Sequence, residues 1–186
     1  MTSFEGLSED QIKVIEKSRQ RVIDSIGNNM DLYGITLSIG HLYGNIYFNN
    51  GPVTLDDMRE KMGMSKTSMS TGMRTLMELK MINKVWEKGA RKDLYEVETD
   101  WYQNFTDYFS IKWRKSMEMN INSLNKSIAE IRKLREENLD HAKLVEQTDV
   151  DIQKMTDALH YYSWLDRFID ILESGEIFNW IPKHKD

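Results

Sequence analysis

Apolar residues return at every third or fourth position along most of the chain, the period of helices that bury one face. Ile12, Ile15, Val22, Ile23 and Ile26 mark a first helix over 8–26, which the run Gly27-Asn28-Asn29 is expected to end. A second helix is expected over 31–48, before the turn cluster Asn49-Asn50-Gly51-Pro52. Thr54 and Asp57 have the spacing of a capping box. The hydroxyl takes an orphan amide and the carboxylate suits the positive end of the helix, so a short helix opens at 54 and closes at Gly63. Ser65 caps the next helix, which reaches about residue 80.

Past residue 80 the period changes. Residues 81–86 and 94–98 are short β-prone runs on either side of Glu87-Lys88-Gly89-Ala90-Arg91-Lys92-Asp93, which makes a hairpin with a basic tip. From Trp101 the helical period resumes through Phe105, Phe109, Trp113, Met117, Ile121, Leu124, Ile128, Ile131 and Leu134. This is a helix of roughly 35 residues, about 50 Å long at 1.5 Å per residue. A last helix is expected over 149–173, with Ile152, Met155, Leu159, Tyr162, Leu165, Ile169 and Leu172 on one stripe. Two such stripes have to pack on each other or on a second chain. The fold class is mostly α: a winged helix-turn-helix over 8–99 with a short β-hairpin wing, then a long-helix dimerisation and effector region over 100–186.

Short helix, turn containing glycine, polar-faced helix and basic hairpin, in that order, form the layout of a DNA reader. At 100° per residue Met69, Met73 and Leu76 fall on one side of the helix after Ser65, and Thr67, Thr71, Arg74 and Glu78 on the other. Short hydroxyls with one arginine suit a major groove, since they approach closely and Arg74 can bond guanine through two N–H groups. Ser65, Lys66, Ser68 and Ser70 flank that face, near enough for phosphate and base contacts. Arg91 or Lys92 at the hairpin tip is placed to enter the flanking minor groove, and Lys88 on the same tip is a further DNA-binding candidate. Residues 59–92 hold nine basic and three acidic side chains, a local charge of +6 in a chain of net −5, so the remainder carries −11. The positive footprint coincides with the segment that the layout nominates.

The runs MDLYGITLSIGHLYGNIYF at 30–48, GPVTLDDMREKMGMSKTSMSTGMRTLMELKMINKVWEKGARKD at 51–93 and ESGEIFNW at 173–180 resemble the GbsR-type branch of the MarR-like winged helix-turn-helix regulators. The resemblance implies a dimeric bacterial transcription factor, usually a repressor. Some members of that branch control uptake of choline or glycine betaine and the conversion of choline to glycine betaine. The DNA contacts carried over by the resemblance are those of Ser65 to Arg74 and Arg91. The partners expected are therefore double-stranded DNA, a second copy of the chain and a small-molecule effector of the choline or glycine betaine type.

Aromatic residues crowd two stretches. Trp101, Tyr102 and Phe105 lead into one, Tyr161 and Trp164 belong to the other, and antiparallel helices would bring the two together. A methylated ammonium binds where several ring faces surround it, while aromatics at helical spacing also fill cores and dimer interfaces. Both readings stand at this level. Gly34, Gly40 and Gly44 within the second helix point to close helix approach. The four histidines lack metal-ligand spacing, the chain has no cysteine, and neither a phosphate-cradling glycine loop nor a nucleophile elbow occurs, so no enzyme and no bound cofactor is expected. A polar N-terminus and the lack of a long apolar run exclude a signal peptide and a membrane span, consistent with a cytoplasmic protein. A ligand-independent DNA binder and a protein-interaction module are the rival readings.

Overall fold

The computed structural model describes residues 4–31 and 34–184. Helix α1 (Glu9–Asp31) passes straight through the Gly27-Asn28-Asn29 segment expected to end it. The reason is tertiary. Helix α2 (Leu37–Tyr47) crosses α1 there, and two glycines let the backbones meet: a Cβ on Gly40 would stand 2.6 Å from the Gly27 Cα. A glycine inside a helix costs about 0.5–1 kcal/mol relative to alanine. The crossing offsets that by burying Ile23, Ile26 and Met30 of α1 with Leu42, Tyr43 and Ile46 of α2. α2 is shorter than the expected 31–48, and Gly34 sits in a turn ahead of it. Leu32 and Tyr33, also expected in this helix, lie outside the described residues.

Strand β1 (Val53–Thr54) leads into α3 (Leu55–Met62) and α4 (Lys66–Glu78), followed by β2 (Ile82–Val85) and β3 (Leu94–Val97). The two expected hairpin strands pair antiparallel, with Ile82 opposite Val97 and Val85 opposite Leu94. β1 adds an unforeseen third strand on the far side of β3, giving the order β1-β3-β2. Two residues after a proline are too few to show alternation in sequence. Met58, Met69, Met73, Leu76, Leu79 and Ile82 complete a core whose methionines fit irregular gaps between helices and sheet.

The chain divides into two units, Met1–Asn104 and Phe105–Asp186. In the second, most of α5 (Trp101–Glu136) pairs with α6 (Ala142–Glu173), and α7 (Ile177–Trp180) follows. α6 begins seven residues before the expected 149, because the His141 ring accepts the Leu144 N–H as a cap. The two helices run antiparallel. Arg114 of α5 meets Asp166, Asp170 and Glu173 near one end, and Arg135 meets Asp149 near the other. Met117, Leu165 and Ile169 form the buried seam, flanked by Phe109, Ile121, Tyr162 and Phe168. No helix among the described residues is long and apolar enough to cross a membrane.

Arg114 gathers three carboxylates: its Nε and Nη2 donate to Glu173 at 2.9 and 2.7 Å, its Nη1 to Asp166 at 2.7 Å, and its Nη2 also to Asp170. The bonds to Glu173 and Asp170 raise the guanidinium pKa, which matters only above the alkaline range, so this tie is constant at neutral pH. Arg114→Met leaves three carboxylates facing one another. Because the side chain remains partly exposed, solvent screening holds the expected loss to about 1–2 kcal/mol, measured as a lower urea midpoint and partly recovered in high salt.

Candidate nucleic-acid interface

The helix-turn-helix is fixed locally by three caps. Thr54 Oγ1 accepts from Asp57 N at 3.1 Å while the Asp57 carboxylate accepts from Thr54 N at 2.8 Å. Gly63 closes α3 at φ +62°, a left-handed conformation that side chains with a Cβ adopt at a cost. Ser65 Oγ accepts from Ser68 N at 3.1 Å and opens α4. Gly72 then lets α4 lie close on α2, since a Cβ there would stand 2.9 Å from the Leu42 side chain.

Packing in this way turns Met69, Gly72, Met73 and Leu76 inward and leaves Lys66, Thr67, Ser68, Ser70, Thr71, Arg74 and Glu78 exposed, as the helical period requires. Arg74 has no hydrogen bond or ion pair with any described residue, so its five N–H donors are open. Ser65 is less available than its neighbours, because its hydroxyl both caps the helix and donates to Ser68 Oγ at 2.9 Å. Ser68 accepts that bond and keeps its own proton to donate.

The wing corrects one sequence expectation. Lys92, placed by sequence at the tip, instead turns back to α3, where its Nζ donates to Asp56 at 2.7 Å. Lys84 similarly pairs with Asp93 at 2.8 Å across the loop end of the strand pair. Both lysines therefore brace the wing, and the open positive groups of the wing and α4 are fewer than the basic residues there: Lys88 and Arg91 on the tip, Lys66 and Arg74 on α4. The hydrogen bond to Lys92 holds the Asp56 carboxyl below its ordinary range and raises the Lys92 ammonium. A depressed carboxylate contributes above its ordinary pKa and loses the contribution as pH falls through the lowered value. The raised lysine contributes below its ordinary pKa and loses it as pH rises through the higher one. The brace is thus indifferent to pH across the neutral range. Trp86, at the end of β2, was not singled out in sequence; it is 82% exposed, more than any other large apolar side chain described.

Of the five candidate ligand rings, Trp101 and Tyr102 belong to the first unit and Phe105, Tyr161 and Trp164 to the second. Trp101 is engaged within the first unit: its ring lies 5.8 Å from Tyr43 and 5.3 Å from Tyr47, and its Nε1 donates to Tyr47 Oη at 3.3 Å. Beside it the Asn104 amide donates to Tyr43 Oη at 2.9 Å and to the Glu98 carbonyl at 3.0 Å, which anchors the first turn of α5 to α2 and the exit of β3. Burial raises the Tyr43 hydroxyl pKa, so it stays protonated. Tyr102 is exposed, and its N–H is taken by the Asp100 cap.

In the second unit a row of rings crosses the helix pair. Phe105 stacks on Phe109, Phe109 meets Phe168 edge-on at 6.0 Å, Phe168 lies flat on Trp164 at 5.8 Å and 2°, and Trp164 stacks on Tyr161. Phe105, Tyr161 and Trp164 are each about half exposed, at 51%, 47% and 52%. A single chain thus offers an open aromatic surface, not an enclosed cavity, at these positions.

Residues 101–179 match the family described as GbsR family transcriptional regulator, C-terminal helical hairpin. The chain is 39% identical over 173 residues to the HTH-type transcriptional repressor GbsR of Bacillus subtilis (strain 168), covering 92% of this chain and 95% of that protein. It is 36% identical over 178 residues to the HTH-type transcriptional repressor OpcR of the same organism, covering 94% and 95%. A crystal structure of a transcriptional regulator superposes with a TM-score of 0.51 at 14% identity, covering 79% of this chain and 99% of that one. At that identity the likeness is one of fold.

Proposed function

The chain belongs to the GbsR family of transcriptional regulators, and from that premise we propose that it is a cytoplasmic homodimer that represses its target genes and answers to a methylated ammonium solute of the choline or glycine betaine type. It is a DNA-binding regulator and not an enzyme. The observation that carries the DNA geometry is the exposed face of α4, where Thr67, Thr71 and the unpartnered Arg74 stand together on a helix whose other side is fully buried. Ser65, Lys66, Ser68 and Ser70 hold the flanking phosphates and base edges, while Lys88 and Arg91 enter the neighbouring minor groove.

Two recognition helices reading half-sites one turn apart, about 34 Å, require two copies of the chain. The apolar surface left on the helix pair supports this: Trp113, Met119, Leu134, Val150, Tyr161 and Trp164 all remain exposed, although Met117, Ile128, Leu165, Ile169 and Leu172 are buried. The same half-exposed rings, Phe105, Tyr161 and Trp164, supply faces for a quaternary ammonium once a second chain encloses them, each desolvated face contributing about 0.5–2 kcal/mol.

The test is fluorescence anisotropy with the duplex upstream of the protein's own gene, with choline and glycine betaine titrated separately. A change in operator affinity of about 5- to 150-fold with one of them is expected, and Phe105→Ala should abolish the response while leaving unliganded DNA binding intact. Unchanged affinity with both solutes would leave a ligand-independent repressor. Asp56→Asn provides a second check on the wing: it releases Lys92 toward the phosphates, so the logarithmic salt dependence of DNA binding should steepen by about 0.9 for the one phosphate gained.

A further inference from the structure

A second concentration of positive charge lies away from α4. A cavity of about 520 Å³ is bounded by α1, the C-terminal ends of α2 and α3 and the segment at Phe4, and its lining includes Lys13, Lys17, Arg19 and Lys61 with Glu16 as the single carboxylate. The volume is in the range of small-ligand sites. Four cations against one anion would be unremarkable on a basic protein, but this chain has a net charge of −5.

Two of the cations are held in place. The Arg19 guanidinium lies 5.4 Å from the centre of the Phe4 ring and 5.8 Å from that of Phe48, so the rings fix its plane and leave its N–H edges free. Lys61 comes from α3 to the same cavity. Burial, and secondarily the charge of Arg19, push its ammonium below the usual lysine range, which means that the folded chain keeps two like charges together at a cost. Among the described residues no carboxylate pairs with Lys17, Arg19 or Lys61; Lys13 is shared with Asp10 at 3.9 Å. The cavity therefore gathers four cations against one carboxylate, Glu16, which pairs with none of Lys17, Arg19 and Lys61, and an anion in it would neutralise that excess.

We propose that this cavity binds a small phosphate-bearing anion, with the phosphate oxygens bonded by the Arg19 guanidinium and the Lys61 ammonium and with Lys17 adding to the positive field. Arginine's fork matches two phosphate oxygens at once, and the two lysines suit a second phosphate or carboxylate on the same molecule. The site stands on the cavity and its charges alone and is independent of how the chain reads DNA. Phosphate oxygens also occur on a DNA backbone, so the test has to separate a free anion from a duplex.

Calorimetric titration of the full chain with inorganic pyrophosphate, at ionic strength held constant with potassium chloride, makes that separation. One saturable site per chain is expected, weakened about 10- to 100-fold by Lys61→Met and by Arg19→Gln and unaffected by Lys88→Gln on the wing. Arg19→Lys keeps the charge and loses the fork, and should weaken binding nearly as much as Arg19→Gln. Lys17→Gln should weaken it by a smaller factor, about threefold, and keeps the test readable if the half-buried Arg19 variant fails to fold. Absence of saturable heat in the unmodified chain overturns the proposal, as does undiminished binding in Lys61→Met and Arg19→Gln. Loss of binding in Lys88→Gln with retention in Lys61→Met also overturns it, and assigns the phosphate to the DNA-facing surface.

Discussion

Gly40→Ala is expected to destabilise the N-terminal unit by about 3 kcal/mol, near the upper end of overpacking penalties, measured as a lower urea midpoint at constant slope. The added Cβ would lie 2.6 Å from the Gly27 Cα and 3.2 Å from the Gly27 carbonyl oxygen, both backbone atoms of α1. Neither can rotate away, so the helices must separate, and the contacts among Ile23, Ile26, Leu42 and Ile46 loosen together. Gly27→Ala is the control. Its Cβ would meet the His41 ring at 2.6 Å and Leu37 Cδ1 at 3.0 Å, which are side-chain atoms that can shift. Alanine also gains about 1 kcal/mol of helix propensity there, so the net effect should be far smaller. Equal losses in the two variants would mean that the helices do not cross backbone to backbone.

Arg74→Ala is expected to weaken specific DNA binding by about 1–3 kcal/mol, or about 5- to 150-fold, with the urea midpoint unchanged. Its side chain is exposed and bonded to nothing else described, so truncation removes no internal contact. The loss should concentrate on the cognate duplex and relax discrimination at one base pair. Arg91→Ala on the wing offers the contrast: a minor-groove cation answers to groove width and potential, so its loss should lower the salt slope by about 0.9 and leave discrimination at the base pair read by Arg74 unchanged. Anisotropy titrations of both variants on cognate and scrambled duplexes, from about 50 to 200 mM salt, distinguish base reading from phosphate contact. An Arg74→Ala variant that loses affinity equally on every sequence would place Arg74 on a phosphate.

Much of this was legible in the chain itself. The capping box at Thr54 and Asp57, the turn at Gly63 and the cap at Ser65 are interactions within three residues, and local chemistry is sufficient to specify them. The exposed face of α4 follows from a 3.6-residue period that needs no knowledge of its neighbours. The long helix from Trp101 follows for the same reason. What failed depended on partners distant in sequence. Gly27 reads as a breaker until Gly40 is seen against it. Lys92 reads as a tip cation until Asp56, 36 positions away, is found holding it. β1 is a strand only because β3 lies beside it. The contacts of Trp101 with Tyr43 and Tyr47, more than 50 positions away, are likewise invisible in the sequence.

Sequence alone thus determined the helical character, the order of the DNA-reading elements and the identity of the face that α4 presents, because each is governed by periodicity and short-range hydrogen bonding. Tertiary structure alone decided which basic residues stay open, which rings share a surface and where α1 ends. Those outcomes turn on side chains and backbones that meet only when the chain has folded, and no local pattern encodes a contact between residues dozens of positions apart.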